Sequence, residues 1–149
     1  MFGLAGAYKT IWIISFILSG YGVFLLVKYL TGDTKAAFIS GLIFMFCPYR
    51  FAHTVVGHVN LISTEWIPFY VLFLIKTVNE NKSSNAIYAA LFLLLNALCS
   101  YYYLLYLLCF TLLFLSYQQW MNKNVLNGEF IKKICIMGIL FGMTISPFV

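Results

Sequence analysis

AIYAALFLLLNALCSYYYLLYLLCFTLLFLSY, residues 86–117, is apolar almost without interruption over 32 residues. As a single α-helix it would be about 48 Å long, well beyond the ~30 Å of hydrocarbon in a bilayer. Its interior polar features are Asn96 and the run Ser100, Tyr101, Tyr102, Tyr103, so the reading divides it there into two helices. Neither glycine nor proline marks the turn, and the distribution of basic residues supplies the test. With the division, the loops carrying Lys28 and Lys35, Lys76 and Lys82, and Lys123, Lys132 and Lys133 all fall on one side. Lys9 and Arg50 lie on the other, which puts seven of the nine basic residues on one face, as the positive-inside rule requires. Without it the bias collapses to four against five.

Composition agrees with a membrane chain. Of the 149 residues, 63% are hydrophobic and 9% charged, with a mean hydropathy of +0.94. A soluble domain carries about 25% charged residues. The apolar residues come in blocks rather than amphipathic stripes, the pattern of lipid-facing helices. The net charge of +5 is not a nucleic-acid footprint, because the basic residues stand singly at block ends, where they snorkel and orient the chain. Cys47, Cys99, Cys109 and Cys135 show no CxxC spacing and read as small packing residues, without a metal site or a disulfide framework.

Working outward, residues 11–30 form a first block of about the length a span needs, with Ser19, Gly20 and Gly22 as small residues for close helix approach. Residues 36–47 are only 12 long, about 18 Å, so flanking residues extend the block or it leans into protein. Pro48 stops or kinks it. A further block runs from about 61 or 66 to 78, and a last one covers 134–149, with Gly138 and Gly142 in GxxxG spacing. The expected architecture is an all-α polytopic membrane protein, a single transmembrane domain over 1–149 with about six transmembrane or partly spanning helices. It is placed in the cell membrane, with the N-terminus and the 48–66 loop extracytoplasmic. A chain starting outside suggests that an upstream span, or a partner chain, completes it.

One interval collects functional groups: PYRFAHTVVGHVNLISTEW, residues 48–66. Tyr49, Arg50, His53, His58, Asn60, Ser63, Thr64, Glu65 and Trp66 all lie in it. Ionisable groups at membrane depth are costly and tend to face a cavity or water. If the interval is helical, Arg50 and His53 lie about 60° apart, and His58 and Glu65 share a face. Such a face suits an anionic headgroup, with Arg50 as a bidentate clamp. The alternative is a solvated outer loop with Arg50 snorkelling and Tyr49 and Trp66 at the interface. His53 and His58 are five apart and do not chelate one ion as an i, i+4 pair does. Of the four acidic residues, Asp33, Glu80 and Glu129 fall on the cytoplasmic side, and Glu65 has no carboxylate partner nearby. No catalytic constellation, metal site or cofactor motif is visible.

The segments CPYRFAH at 47–53, GHVNL at 57–61 and STEWIP at 63–68 resemble membrane proteins with the GT-C glycosyltransferase architecture, related to lipid-linked-sugar transferases and YfhO-like membrane proteins. The similarity also runs through AYK at 7–9, SGYG at 19–22, LTG at 30–32, AAFISGLIF at 36–44, SYY at 100–102 and SPF at 146–148. The resemblance implies transfer of a sugar from a polyprenyl-phosphate donor on the outer face. The expected partners are thus the lipid bilayer and a lipid-linked sugar, not nucleic acid. Tyr49, Arg50, His53, His58, Asn60, Glu65 and Trp66 become the substrate-binding candidates, with Arg50 on the phosphate. In such enzymes the catalytic acid sits on the first external loop, after the first helix. This sequence begins beyond that point, so it reads as a segment of a longer protein lacking that loop. A transport or flippase-type component and a non-catalytic remnant are the alternatives.

The orientation predicts that a cysteine at Ser84, in a cysteine-free background, resists a membrane-impermeant maleimide applied to intact cells. A cysteine at Tyr102 is labelled. The opposite pattern refutes the charge-bias topology.

Overall fold

The computed structural model describes residues 3–57, 59–80, 82–121 and 138, and all its regular elements are helices. They are α1 (Leu4–Thr31), α2 (Thr34–Met45), α3 (Pro48–Val56), α4 (Val59–Ile62), α5 (Trp66–Asn79), α6 (Ser83–Cys99) and α7 (Tyr101–Met121). Among the described residues, four stretches are long and apolar enough to cross a membrane: Gly6–Thr31, Thr34–Val56, Asn60–Asn79 and Tyr101–Met121. Ser83–Cys99 is apolar but shorter, and the expected last block, 134–149, lies outside the described residues apart from Gly138. The chain divides into two compact units, Met1–Phe69 and Tyr70–Val149.

In the first unit α1 and α2 form a tight hairpin. Gly32 ends α1 in the left-handed conformation (φ 73°), and its N–H bonds back to the Lys28 carbonyl. This is the helix-ending geometry that glycine adopts without a Cβ penalty. Asp33 then caps α2, its carboxylate accepting from the Lys35 N–H at 2.8 Å, so the segment 31–34, whose Thr-Gly-Asp-Thr composition reads as a turn, both closes one helix and opens the next. The hairpin packs backbone to backbone: a Cβ added to Gly41 would sit 2.7 Å from the Gly20 carbonyl oxygen. Small residues allow this approach, and in lipid close van der Waals contact drives such pairing.

The short block 36–47 is extended by its flanks. α2 ends at Met45, Pro48 occupies the first turn of α3, and the Thr34–Val56 stretch reaches 23 residues. Proline suits a first helical turn because its missing N–H has no intrahelical partner there. Most of the interval 48–66 is therefore helical and not an open loop. Gly57 ends α3 with φ 80°, and residues 63–65 separate α4 from α5.

In the second unit the long apolar stretch divides at Ser100. Ser100 is extended (φ −160°, ψ 121°), its N–H bonds to the Asn96 carbonyl, and its own carbonyl accepts from Leu104. It closes α6 and opens α7 through its backbone groups, while its hydroxyl makes no capping bond. One face of α6, with Ala86, Ala89, Ala90, Leu93 and Ala97, is buried. Phe73 on α5 meets the rings of Tyr88 and Phe92 at 5.0 and 5.6 Å. The Tyr70 hydroxyl pairs with Thr111 Oγ1 at 2.5 Å, satisfying both hydroxyls away from water. Along α7, exposed Tyr102 and Trp120 stand about 27 Å apart along the axis, the separation of two interfacial aromatic belts across a bilayer.

Gly41→Ala should destabilise the protein in detergent denaturation by about 1–3 kcal/mol, the range for overpacking a filled contact. Gly3→Ala, where a Cβ meets nothing within 4 Å, should stay within about 0.5 kcal/mol of wild type. Equal effects at the two positions would refute the hairpin packing.

Candidate functional site

The first unit contains a buried polar cluster built around the only arginine of the chain. Arg50 lies in the first turn of α3 and is 2% exposed. Nη1 donates to Ser19 Oγ. Nη2 donates to Ser15 Oγ at 2.7 Å and to the Ile62 carbonyl at 3.1 Å. Ser15 and Ser19 are four apart on α1 and so share a face, which turns the guanidinium fork toward two hydroxyls at once. The Phe16 ring lies 4.0 Å from the guanidinium carbon, a cation–π contact that is stronger when desolvated.

The charge is balanced through a hydroxyl. Ser15 Oγ accepts from Arg50 and donates to Glu65 Oε2 at 2.6 Å. The Ile62 carbonyl also accepts from the Thr64 N–H at 2.8 Å, and it lies 3.4 Å from Ser15 Oγ. The break between α4 and α5 is thus what brings a carbonyl and a carboxylate to the arginine. Glu65, 7% exposed, immediately precedes α5, where the positive end of the helix dipole favours an anion. α1 also packs on α3 one turn further along. Trp12 Nε1 donates to Thr54 Oγ1 at 2.8 Å, and Thr54 Oγ1 donates to the Arg50 carbonyl at 2.7 Å. The Trp12, Phe16 and Phe51 rings form edge-to-face contacts at 4.9–6.5 Å.

The residues singled out by sequence separate into two groups. Arg50, Ser63, Thr64 and Glu65 are buried. Tyr49 is exposed and His53 half-buried on α3, their rings 4.4 Å apart edge to face. Asn60 on α4 is exposed, and Trp66 at the start of α5 is half-buried with its ring 6.4 Å from that of Phe69. His58 lies outside the described residues. The shared face expected for His58 and Glu65 needs a helix that continues through 63–65, and those residues are not helical.

The alternative of a snorkelling Arg50 does not match its 2% exposure. Both terminal nitrogens already donate to protein oxygens, Nη1 to one and Nη2 to two. Ser15 and Ser19 complete the cluster; in the sequence Ser19 reads as a small packing residue and Ser15 does not stand out. The signal available was two hydroxyls four apart in an otherwise apolar block. Among the described residues no group of three or more His, Cys, Asp or Glu is positioned to hold a metal ion. Comparison with family models, with curated proteins and with solved structures finds no match to this chain.

Arg50→Met should cost about 3–5 kcal/mol, since it leaves Glu65 as an uncompensated buried charge. The pair Arg50→Met, Glu65→Gln should cost less than the two single changes summed, by about 1–3 kcal/mol. Strict additivity in detergent unfolding would show that the two residues are not linked.

Proposed function

We propose that the chain is the membrane segment of a GT-C-like glycosyltransferase that handles a polyprenyl-phosphate-linked sugar at the extracytoplasmic face. The observation that carries the reading is a charged cluster enclosed by helical segments that are interrupted beside it. Two of the four candidate spans, Thr34–Val56 and Asn60–Asn79, are broken next to Arg50 and Glu65. Membrane proteins tolerate such breaks and such charges chiefly where a polar substrate is handled. The similarity of 47–53, 57–61 and 63–68 to that family falls on these same residues.

Within this reading the interval has two jobs. Arg50, Ser15 and Glu65 hold the breaks in place. The outward groups Tyr49, His53, Asn60 and Trp66 meet the donor, with aromatic faces against sugar or isoprenoid and imidazole and amide hydrogen-bonding to the polar head. His58 is assigned to the same group. The catalytic carboxylate is assigned to a loop outside this chain. Interrupted helices also occur in secondary transporters, around a site near the membrane midplane, which makes a transport component the second reading.

A polyprenyl-phosphate-linked sugar bearing a photoreactive group, added to the chain in liposomes, should label peptides spanning 48–66. Excess unlabelled lipid-linked sugar should suppress that labelling at least fivefold, whereas free polyprenol should not. Labelling spread evenly over α1, α6 and α7, unaffected by competitor, would overturn the proposal. Sugar-lipid flux by the chain alone would favour the transport reading.

A further inference from the structure

Beside the arginine cluster lies a narrow cleft lined by Tyr8, Ile11, Trp12, Ser15, Ile62 and Ser63, with about 10 Å³ of free volume. That is close to the least space that holds one water molecule, and it excludes a phosphate, a sugar ring or a carbinol group. Tyr8 and Ser15 are seven residues apart on α1, and Ser19 continues the same face four residues on. The face therefore carries a polar stripe that begins at the N-terminal end of α1 and ends on Arg50.

Two walls of the cleft have complementary capacity. The Tyr8 hydroxyl is buried and has no hydrogen-bond partner among the described residues. Ser15 Oγ spends its one proton on Glu65 and one lone pair on Arg50 Nη2, and a hydroxyl has a second lone pair left. Its occupant has to donate to Ser15 and exchange a hydrogen bond with Tyr8. A bare anion cannot donate, and a metal cation would sit beside the guanidinium charge. Water meets both demands and fits the volume.

We infer that this cleft is a specific hydration site, one water linking Tyr8 to Ser15 and so to Arg50 and Glu65. It places the buried charges at the end of a hydrogen-bonded chain that starts near the N-terminal end of α1. The inference is independent of the glycosyltransferase reading, since it concerns solvent and not substrate.

X-ray radiolytic labelling of the full chain in bilayers, with ¹⁸O-water and mass spectrometry, tests it. A bound water activated in place oxidises its neighbours, so Tyr8 and Trp12 should be modified at least fivefold faster than buried Tyr103. Tyr8→Phe, which removes one atom and leaves the packing, should reduce Trp12 modification at least threefold. Lys9→Gln should leave it unchanged. Trp12 modified at the Tyr103 rate, or equally fast in Tyr8→Phe protein with an unchanged helical spectrum, would overturn the inference.

Discussion

A guanidinium enclosed among apolar helices must have its donors satisfied by protein, and the first unit is arranged around that demand. Removing an ion from water costs several kcal/mol even after relaxation, and the cost is offset only by good geometry and further hydrogen bonds. At its two terminal nitrogens Arg50 obtains them from Ser15 and Ser19 on α1 and from the carbonyl of Ile62, with Glu65 linked through Ser15. Each partner fixes something larger than itself. The serines set the rotation of α1 against α3. The carbonyl and the carboxylate require that the chain leave helical geometry at 63–65.

The irregularities of the fold follow from this. Pro48 starts α3 afresh after α2, which lets Arg50 face α1. Gly57, with its positive φ, ends α3 after nine residues and turns the chain into α4. The described residues of the second unit meet milder polar demands. Tyr70 and Thr111 satisfy one another, and Asn96 bonds to the Phe92 carbonyl within its own helix. A hydroxyl or amide inside a helix bundle needs one or two partners, whereas a guanidinium needs several from separate elements. That difference explains why the breaks beside charge belong to the first unit.

How far the sequence could be read depended on the range of the signal. The helical class followed from apolar block lengths, and the division at Ser100 from a polar residue preceding three tyrosines within a stretch too long for one span. These signals are local. The turn at Thr31, Gly32 and Asp33 was equally legible, because glycine and aspartate have distinct roles at helix ends. The state of Arg50 was not legible. Composition reads the same for a solvated loop and for a buried strut, and the deciding partners, Ser15 and Ser19, lie 35 and 31 residues away in sequence. A hydroxyl in an apolar block reads as a packing residue until a charge is placed opposite it. The helical interval 48–66 was open for a similar reason: α3 draws on Trp12 and Phe16 of α1 for packing, and no local propensity encodes that contact.

Because Arg50 is the only arginine in the chain, its state can be observed directly. Guanidino-¹⁵N arginine reports on this one side chain by solid-state NMR in lipid bilayers. With Nη1 and Nη2 held by different serines, the account predicts two resolved, rotationally frozen Nη signals without rapid exchange with bulk water. A single averaged Nη signal in fast exchange with water would mean that Arg50 snorkels to the surface, and the buried cluster would then be wrong.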